Sequence, residues 1–292
     1  MGDLIVGISS GAAYALMAVG VVLIFKCTRA LSIAQGEIGA FGFFVALRWA
    51  ARGIPVVGWH IPAFMTLVVA VLIAAGIALI AERFVMRPLV RRPPLDALIA
   101  TLGIALFLAL LELQVFGTAT QYATSPVGNW KIVLFGATLV APRVVALFVA
   151  AGVAGALYVF FKRSKFGLAV LATAGDPTVA RVLGVPVNQV YRFAWVVGGA
   201  LSGIAAALLA PAFGGLTPFG QTTYALRALS GAVIGGLDSV WGAIAGSLIV
   251  GVLESLVGAY VSAEARSVAV FAAVLLVLLV RPRGLLGETA AA

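Results

Sequence analysis

The chain has 292 residues, 63% of them hydrophobic and 10% charged, with a mean hydropathy of +1.17. Soluble domains carry about 25% charged residues, so the composition excludes a soluble globular protein and marks an integral membrane protein. The formal net charge of +9 requires no nucleic-acid partner, because basic residues gather in the cytoplasmic loops of membrane proteins. The amino terminus, MGDLIVG, has neither the basic region nor the small-residue cleavage site of a secretory signal, so the first apolar run is expected to stay as a span. Uncharged runs at 4–25, 53–81, 144–161 and 193–226 approach or exceed the roughly 20 apolar residues that a crossing helix needs. Spans are predicted near 4–25, 31–51, 61–82, 95–117, 143–161, 191–212 and 262–280, with a broken or hairpin element over 224–260. The expectation is an all-α polytopic bundle, a single transmembrane domain over 1–292 with about eight or nine membrane segments.

Charge bias sets the expected orientation. With the first span starting outside, the inner loops collect Lys26, Arg29, Arg83, Arg87, Arg91, Arg92, Lys162, Arg163, Lys165, Arg181, Arg192, Arg281 and Arg283. Only Arg48, Arg52, Lys131, Arg143 and Arg266 fall outside, and Arg227 lies in the hairpin. This is the positive-inside pattern. Arg48 and Arg52 fit it poorly, which leaves a re-entrant second segment open. Cys27 is the only cysteine and His60 the only histidine, so one chain offers neither a disulfide nor a thiolate metal site. His60, beside Trp59 and Pro62, reads as an interfacial residue.

Lys162–Arg192 is the one long charged interlude in this apolar chain. Ser164 is placed to cap a short helix that ends at Gly175, and Asp176-Pro177 reads as an N-cap followed by proline at the first helical position. Gly184 stands where a left-handed terminator is expected. The second helix is about two turns long, with Val179, Val182 and Leu183 at one-face spacing. A helix this short is unstable alone in water, so it needs a surface to lie on or a partner to enter; an ordinary surface loop is the plain alternative.

In the last third, Gly235-Gly236 breaks a run too short to cross. A helix that stops inside the membrane is tolerated where protein or a water-filled cavity satisfies its backbone, and such breaks mark transport sites in many carriers. The alternative is a pair of full, packed spans, since Gly199 with Gly203, Gly231 with Gly235 and Gly242 with Gly246 sit four apart and permit close helix contact. Glu37, Glu112, Arg227, Asp238 and Glu254 fall within or beside apolar segments, where a charge costs roughly 2.5–3.5 kcal/mol on insertion scales. Structural ion pairing, Glu254 with Arg227 for example, or a substrate carboxylate would compensate them. The chain lacks a phosphate-binding G-x-x-x-x-G-K-[ST] loop, a metal-spaced His/Cys cluster and a nucleophile elbow, so no catalytic residue, metal or cofactor is expected.

Four stretches, GISSGAAYALMAVGVVLIFK (7–26), ALSIAQGEIGAFGFFVAL (30–47), GLAVLATAGDPTVARVLGVPVNQV (167–190) and ALSGAVIGGLDSVWGAIAGSLIVGVLES (228–255), together with the terminal RPRGLLG, resemble the permease subunits of branched-chain amino-acid ABC transporters. The resemblance covers essentially residues 4–286. It implies an inner-membrane importer subunit working with cytoplasmic ATP-binding subunits, a second and related permease in a heterodimer, an extracytoplasmic solute-binding protein and the surrounding lipid. The loop over 162–190 then corresponds to the ATPase-coupling loop, with Asp176, Ala180, Arg181 and Gly184 marking its helix. The outer loops 118–142 and 212–224 would receive the binding protein, and Gln35, Glu37, Arg227 and Asp238 are the candidate pathway residues. Where many relatives read N-F-A-H-G-E, this chain has Ser32-Ile33-Ala34-Gln35-Gly36-Glu37. Losing the imidazole removes a titratable group, so the resemblance specifies the machine better than its cargo, which ranges over amino acids, short amides and small organic acids. An ATP-independent channel or secondary transporter using Glu37, Glu112 or Glu254 as a relay is the other reading.

Overall fold

A computed structural model describes residues 2–53, 62–90, 92–122, 125–128, 130–134 and 137–287. His60 and Arg91 lie outside these residues, as do parts of the 118–142 loop. In chain order the elements are α1 (Gly2–Thr28), α2 (Gln35–Arg52), α3 (Ala63–Ala81), a π turn over Glu82–Met86, α4 (Arg87–Leu89) and α5 (Pro94–Phe116). A small hairpin of β1 (Lys131–Leu134) and β2 (Ala137–Val140) precedes α6 (Ala141–Arg163), α7 (Lys165–Gly175) and α8 (Pro177–Val182). The chain closes with α9 (Val187–Ala212), α10 (Gly220–Gly235), α11 (Val240–Tyr260) and α12 (Ala265–Val280).

Among the described residues six helices are long and apolar enough to cross a membrane: α1, the continuous α3–α4 rod, α5, α6, α9 and α11. Helices α2, α10 and α12, with 18, 16 and 16 residues, lie outside that set. The molecule is a polytopic helical bundle with one departure from the all-α expectation. Strands β1 and β2 pair antiparallel, Lys131 opposite Val140 and Ile132 opposite Leu139. The alternating β-branched residues of KIVL and ATLV favour a pleated pair in a loop with no helical period.

Helices α1 and α3 are both apolar all round, yet one is the core and the other a wall. Small residues decide between them. In α1, Gly7 and Gly11 meet the backbone of α11 at Gly251, Val252, Ser247 and Leu248, and Gly20 meets Gly198 of α9. Backbones that touch on several sides leave α1 surrounded by protein. In α3, Ala70, Ala74 and Ala78 form one inward stripe at four-residue steps against Gly42, Gly199 and Gly203, while Phe64, Leu72 and Ile80 point outward. Helix α6 repeats the device, with Ala146, Ala150 and Ala154 inside and Phe148 outside. In a solvent as apolar as leucine, helices associate through this close packing rather than through hydrophobic burial.

The predicted break at Gly235-Gly236 is present. Gly236 has φ of 113° and Ser239 caps α11 by accepting from Gly242 N at 3.0 Å. The orphan carbonyls at the end of α10 are taken up by the chain's last described segment: Leu285 N donates to Ile234 O at 2.8 Å and Leu286 N to Gly235 O at 2.9 Å. A short helix thus ends with its backbone satisfied, and α11 returns beside it as a full-length span. Glycine is obligatory in this turn, since a Cβ on Gly235 would overlap the Gly242 carbonyl. We predict that Gly235→Val lowers the melting temperature in detergent by an amount matching an overpacking cost of about 1–3 kcal/mol or more. Gly76→Val, with open space around its Cβ position, should leave it nearly unchanged.

Candidate functional site

The 162–190 loop folds as its caps dictate. Ser164 Oγ accepts from Phe166 N at 3.2 Å and Gly167 N at 3.4 Å, starting α7. Gly167 lies against the Phe160 carbonyl, so the chain turns off α6 without a side chain in the corner. Asp176 Oδ1 accepts from Thr178 N at 2.7 Å and Val179 N at 3.0 Å, starting α8. These backbone donors stabilise the ionised carboxylate and hold the Asp176 carboxyl below its usual range. Because the folded value is depressed, the cap's contribution is complete above the ordinary carboxylate range and is lost only as pH falls through the lowered value. At the other end, Val185 N donates to Ala180 O at 2.9 Å and Gly184 N to Arg181 O at 3.1 Å, with Gly184 at φ 83°. This is a Schellman closure, and Pro186 follows it.

Only one residue of α8 is buried. Ala180, 1% exposed, packs into a cluster with Cys27 of α1, Val170 of α7 and Val187 of α9. Val179, Val182 and Leu183 point away from the bundle, Val182 at 83% exposure, and Arg181 is exposed beside them. The helix presents a small apolar knob with a basic residue. Beside it, Arg29 Nη1 pairs with Asp238 Oδ1 at 2.7 Å and Arg29 Nη2 donates to Ala174 O at 3.4 Å. One side chain at the end of α1 therefore joins the α10–α11 turn to the end of α7.

The four candidate pathway residues separate into three places. Gln35 and Glu37 belong to a buried polar belt formed by α2, α5, α9 and α10. Ser202 Oγ donates to Gln35 Oε1 at 2.6 Å, Thr222 Oγ1 donates to Glu37 Oε1, and Glu112 sits beside Glu37. Gln35 Nε2 and both amide atoms of Gln221 are buried without a hydrogen-bond partner among the described residues, while the Glu37 and Glu112 carboxyls lie within hydrogen-bonding reach of each other, so that one shared proton joins them. Buried polar atoms are nearly always paired in folded proteins, so this belt is poised for partners of its own. The space between Ser32, Gln35, Thr222 and Ala225 measures about 10 Å³, too small for a solute in this conformation. Gln221 escaped sequence reading because an amide at a helix start looks like a loop residue.

Arg227 occupies the second place. Its Nη2 lies 2.9 Å from Glu254 Oε1, Tyr14 OH donates to Glu254 Oε2 at 3.0 Å, and the Arg227 guanidinium stacks over Tyr224 at 5.5 Å. The third place is Asp238, which pairs with Arg29 at the α7 end of the bundle and not with Arg227. The opposing end carries loops joined by backbone: Gln121 N donates to Leu216 O at 2.8 Å and Leu216 N to Gln121 O at 2.9 Å, so the segments after α5 and α9 form one surface.

Comparison with known proteins places this geometry in context. The family model described as the branched-chain amino acid transport system permease component matches residues 4–280. The high-affinity branched-chain amino acid transport system permease protein LivH of Escherichia coli is 32% identical over 97% of this chain and 94% of its own length. The corresponding protein BraD of Pseudomonas aeruginosa is 29% identical over 98% of this chain and 95% of its length. Among solved structures, PsaBC from Streptococcus pneumoniae in complex with Fab shares the fold with a TM-score of 0.50 at 14% identity, covering 97% of this chain and 91% of that one.

The Arg227–Glu254 pair, with side chains 18% and 9% exposed, generates a stability prediction. Arg227→Met or Glu254→Leu alone strands a buried charge and should cost about 3 kcal/mol, the lower end of the range for broken buried pairs. The double substitution should recover most of that loss, as read by denaturant titration in mixed micelles.

Proposed function

The chain belongs to the branched-chain amino acid transport permease family, and from that premise we propose that it is the membrane subunit of a binding-protein-dependent ABC importer in a bacterial inner membrane. It would pass branched-chain or other amino acids, or related small organic acids and amides, into the cytoplasm. ATP hydrolysis belongs to cytoplasmic partner subunits, a second related permease completes the pathway, and a solute-binding protein docks on the surface made by the joined outer loops. The observation that carries this reading is α8: a six-residue helix closed at both ends and holding its apolar tip away from the bundle. A channel or secondary transporter has no use for such a knob.

In the proposed cycle Asp176 and Gly184 keep α8 rigid, Ala180 seats it against α7 and α9, and Arg181 with the exposed Val182 and Leu183 enters a groove on the ATPase. Arg29 conveys the displacement to the α10–α11 turn through Asp238. The buried belt of Gln35, Glu37, Glu112 and Gln221 lies along the path and is closed in this state. Its unpaired groups gain partners when the path opens to a polar solute, while the Arg227–Glu254 pair holds α10 to α11.

Two outcomes test the cycle in proteoliposomes carrying the complete importer. Gly184→Val forces a β-branched residue into the left-handed region and should leave ATP hydrolysis running while uptake falls at least tenfold; unchanged uptake would refute a coupling role for α8. Asp176→Asn retains a capping oxygen and should preserve most coupling, whereas Asp176→Ala should resemble Gly184→Val.

A further inference from the structure

A second polar cavity lies at the opposite end of the bundle from α8, about 330 Å³ in volume, between the start of α1, the start of α6, the end of α11 and the start of α12. Charge bias assigns this end to the exterior. Tyr14 and Glu254 form part of its wall, and Asp3, Arg143 and Arg266 line the rest. Glu254 is already satisfied by Arg227 and Tyr14. The two arginines have no hydrogen bond or salt bridge among the described residues, the Nε of each being buried without a partner, although Glu264 lies close enough to Arg266 for the two charges to interact. Arg143 is held by its stacking on Phe213 at 4.9 Å.

Both arginines stand where electrostatics opposes them. Arg143 is the third residue of α6 and Arg266 the second of α12, and the positive end of a helix dipole disfavours a cation. Two like charges and two helix amino termini thus converge on one cavity. An incoming anion adds to what Asp3 in the cavity wall, Glu264 beside Arg266 and the Ser262 hydroxyl on Ala265 N already supply. The chain also makes room for the arrangement: Gly258 lies against Arg266, and a Cβ there would overlap its Nε and guanidinium carbon, so only glycine lets this guanidinium lie flat on α11. The size of the cavity, at the small end of ligand pockets, suits a small molecule better than a protein surface. Guanidinium groups recognise carboxylates through paired donors, and Asp3 supplies an acceptor for an ammonium group.

We propose that this cavity is an entry subsite for a free α-amino acid, its carboxylate held between Arg143 and Arg266 and its ammonium group turned toward Asp3. The subsite rests on the importer reading for its purpose but is testable without it. Saturation-transfer-difference NMR on the purified full chain in a neutral detergent, with L-leucine and L-leucinamide as probes, reads it directly. L-leucine should receive saturation from the wild-type protein, and leucinamide, which has no carboxylate, at least fivefold less. Arg143→Gln and Arg266→Gln should each cut the leucine signal at least fivefold. Gly258→Ala, which keeps both charges and displaces only Arg266, should lower it too, and Arg143→Lys should retain part of it. Variants are compared only after matching size-exclusion profiles.

A leucine signal absent from the wild type, or equal in the wild type and the glutamine variants, overturns the subsite. Variants that keep the leucine signal but no longer capture the solute-binding protein also overturn it, by giving the arginines to a protein partner. Amino-acid uptake by cells carrying the complete importer is measured in parallel. Failure of the wild type there contradicts the importer reading alone, while intact wild-type uptake with an insensitive NMR signal contradicts the subsite alone.

Discussion

Gly7 and Gly11 of α1 lie directly on the backbone of α11 around Gly251, and Gly20 of the same helix lies on Gly198 of α9. Lipid offers no hydrophobic reward for bringing helices together, so this close approach and the dispersion it gains hold the bundle. Several of the polar devices described above are referenced to α1. Its outer half supplies Tyr14 to Glu254 and a wall of the arginine-lined cavity. Just beyond its inner end lies Arg29, which reaches Asp238. A side chain at any of the three glycines would separate the backbones and loosen these contacts together.

That arrangement gives the molecule one stiff rod with a chemical task at each end. At one end, α8 packs on α7 and α9 through a single buried alanine and leaves most of its surface exposed. At the other, Arg143 and Arg266 line a cavity beside the starts of α6 and α12. Between them lies the closed belt of buried carboxyl and amide groups, in which Gln35 Nε2 and the Gln221 amide have no partner among the described residues.

Much of this was legible in the residues. Ser164, Asp176-Pro177 and Gly184 announce two short helices because capping is local chemistry, decided within four positions. Gly235-Gly236 announces the break for the same reason, and Arg227 with Glu254 was one of the compensations open to an intramembrane cation. Tertiary pairings were less accessible. Arg29 and Asp238 stand 209 positions apart, and nothing local distinguishes Asp238 from a pathway residue. The placement of Arg143 and Arg266 in one cavity is equally invisible, since an outer-loop arginine reads as solvated until four helices enclose it. The β1–β2 hairpin was missed because its strands are four residues each, too short for a two-residue period to stand out. Uniform apolarity could not separate α1 from α3, but the spacing of their glycines and alanines does.

The central claim is that α8 is the surface through which a partner ATPase drives the bundle. A photoreactive amino acid placed at Val182, which is 83% exposed, tests it in cells expressing the complete importer. The account predicts a covalent adduct with the ATPase subunit whose yield changes with bound nucleotide. Recovery of adducts with lipid or the solute-binding protein, and none with the ATPase, would contradict it.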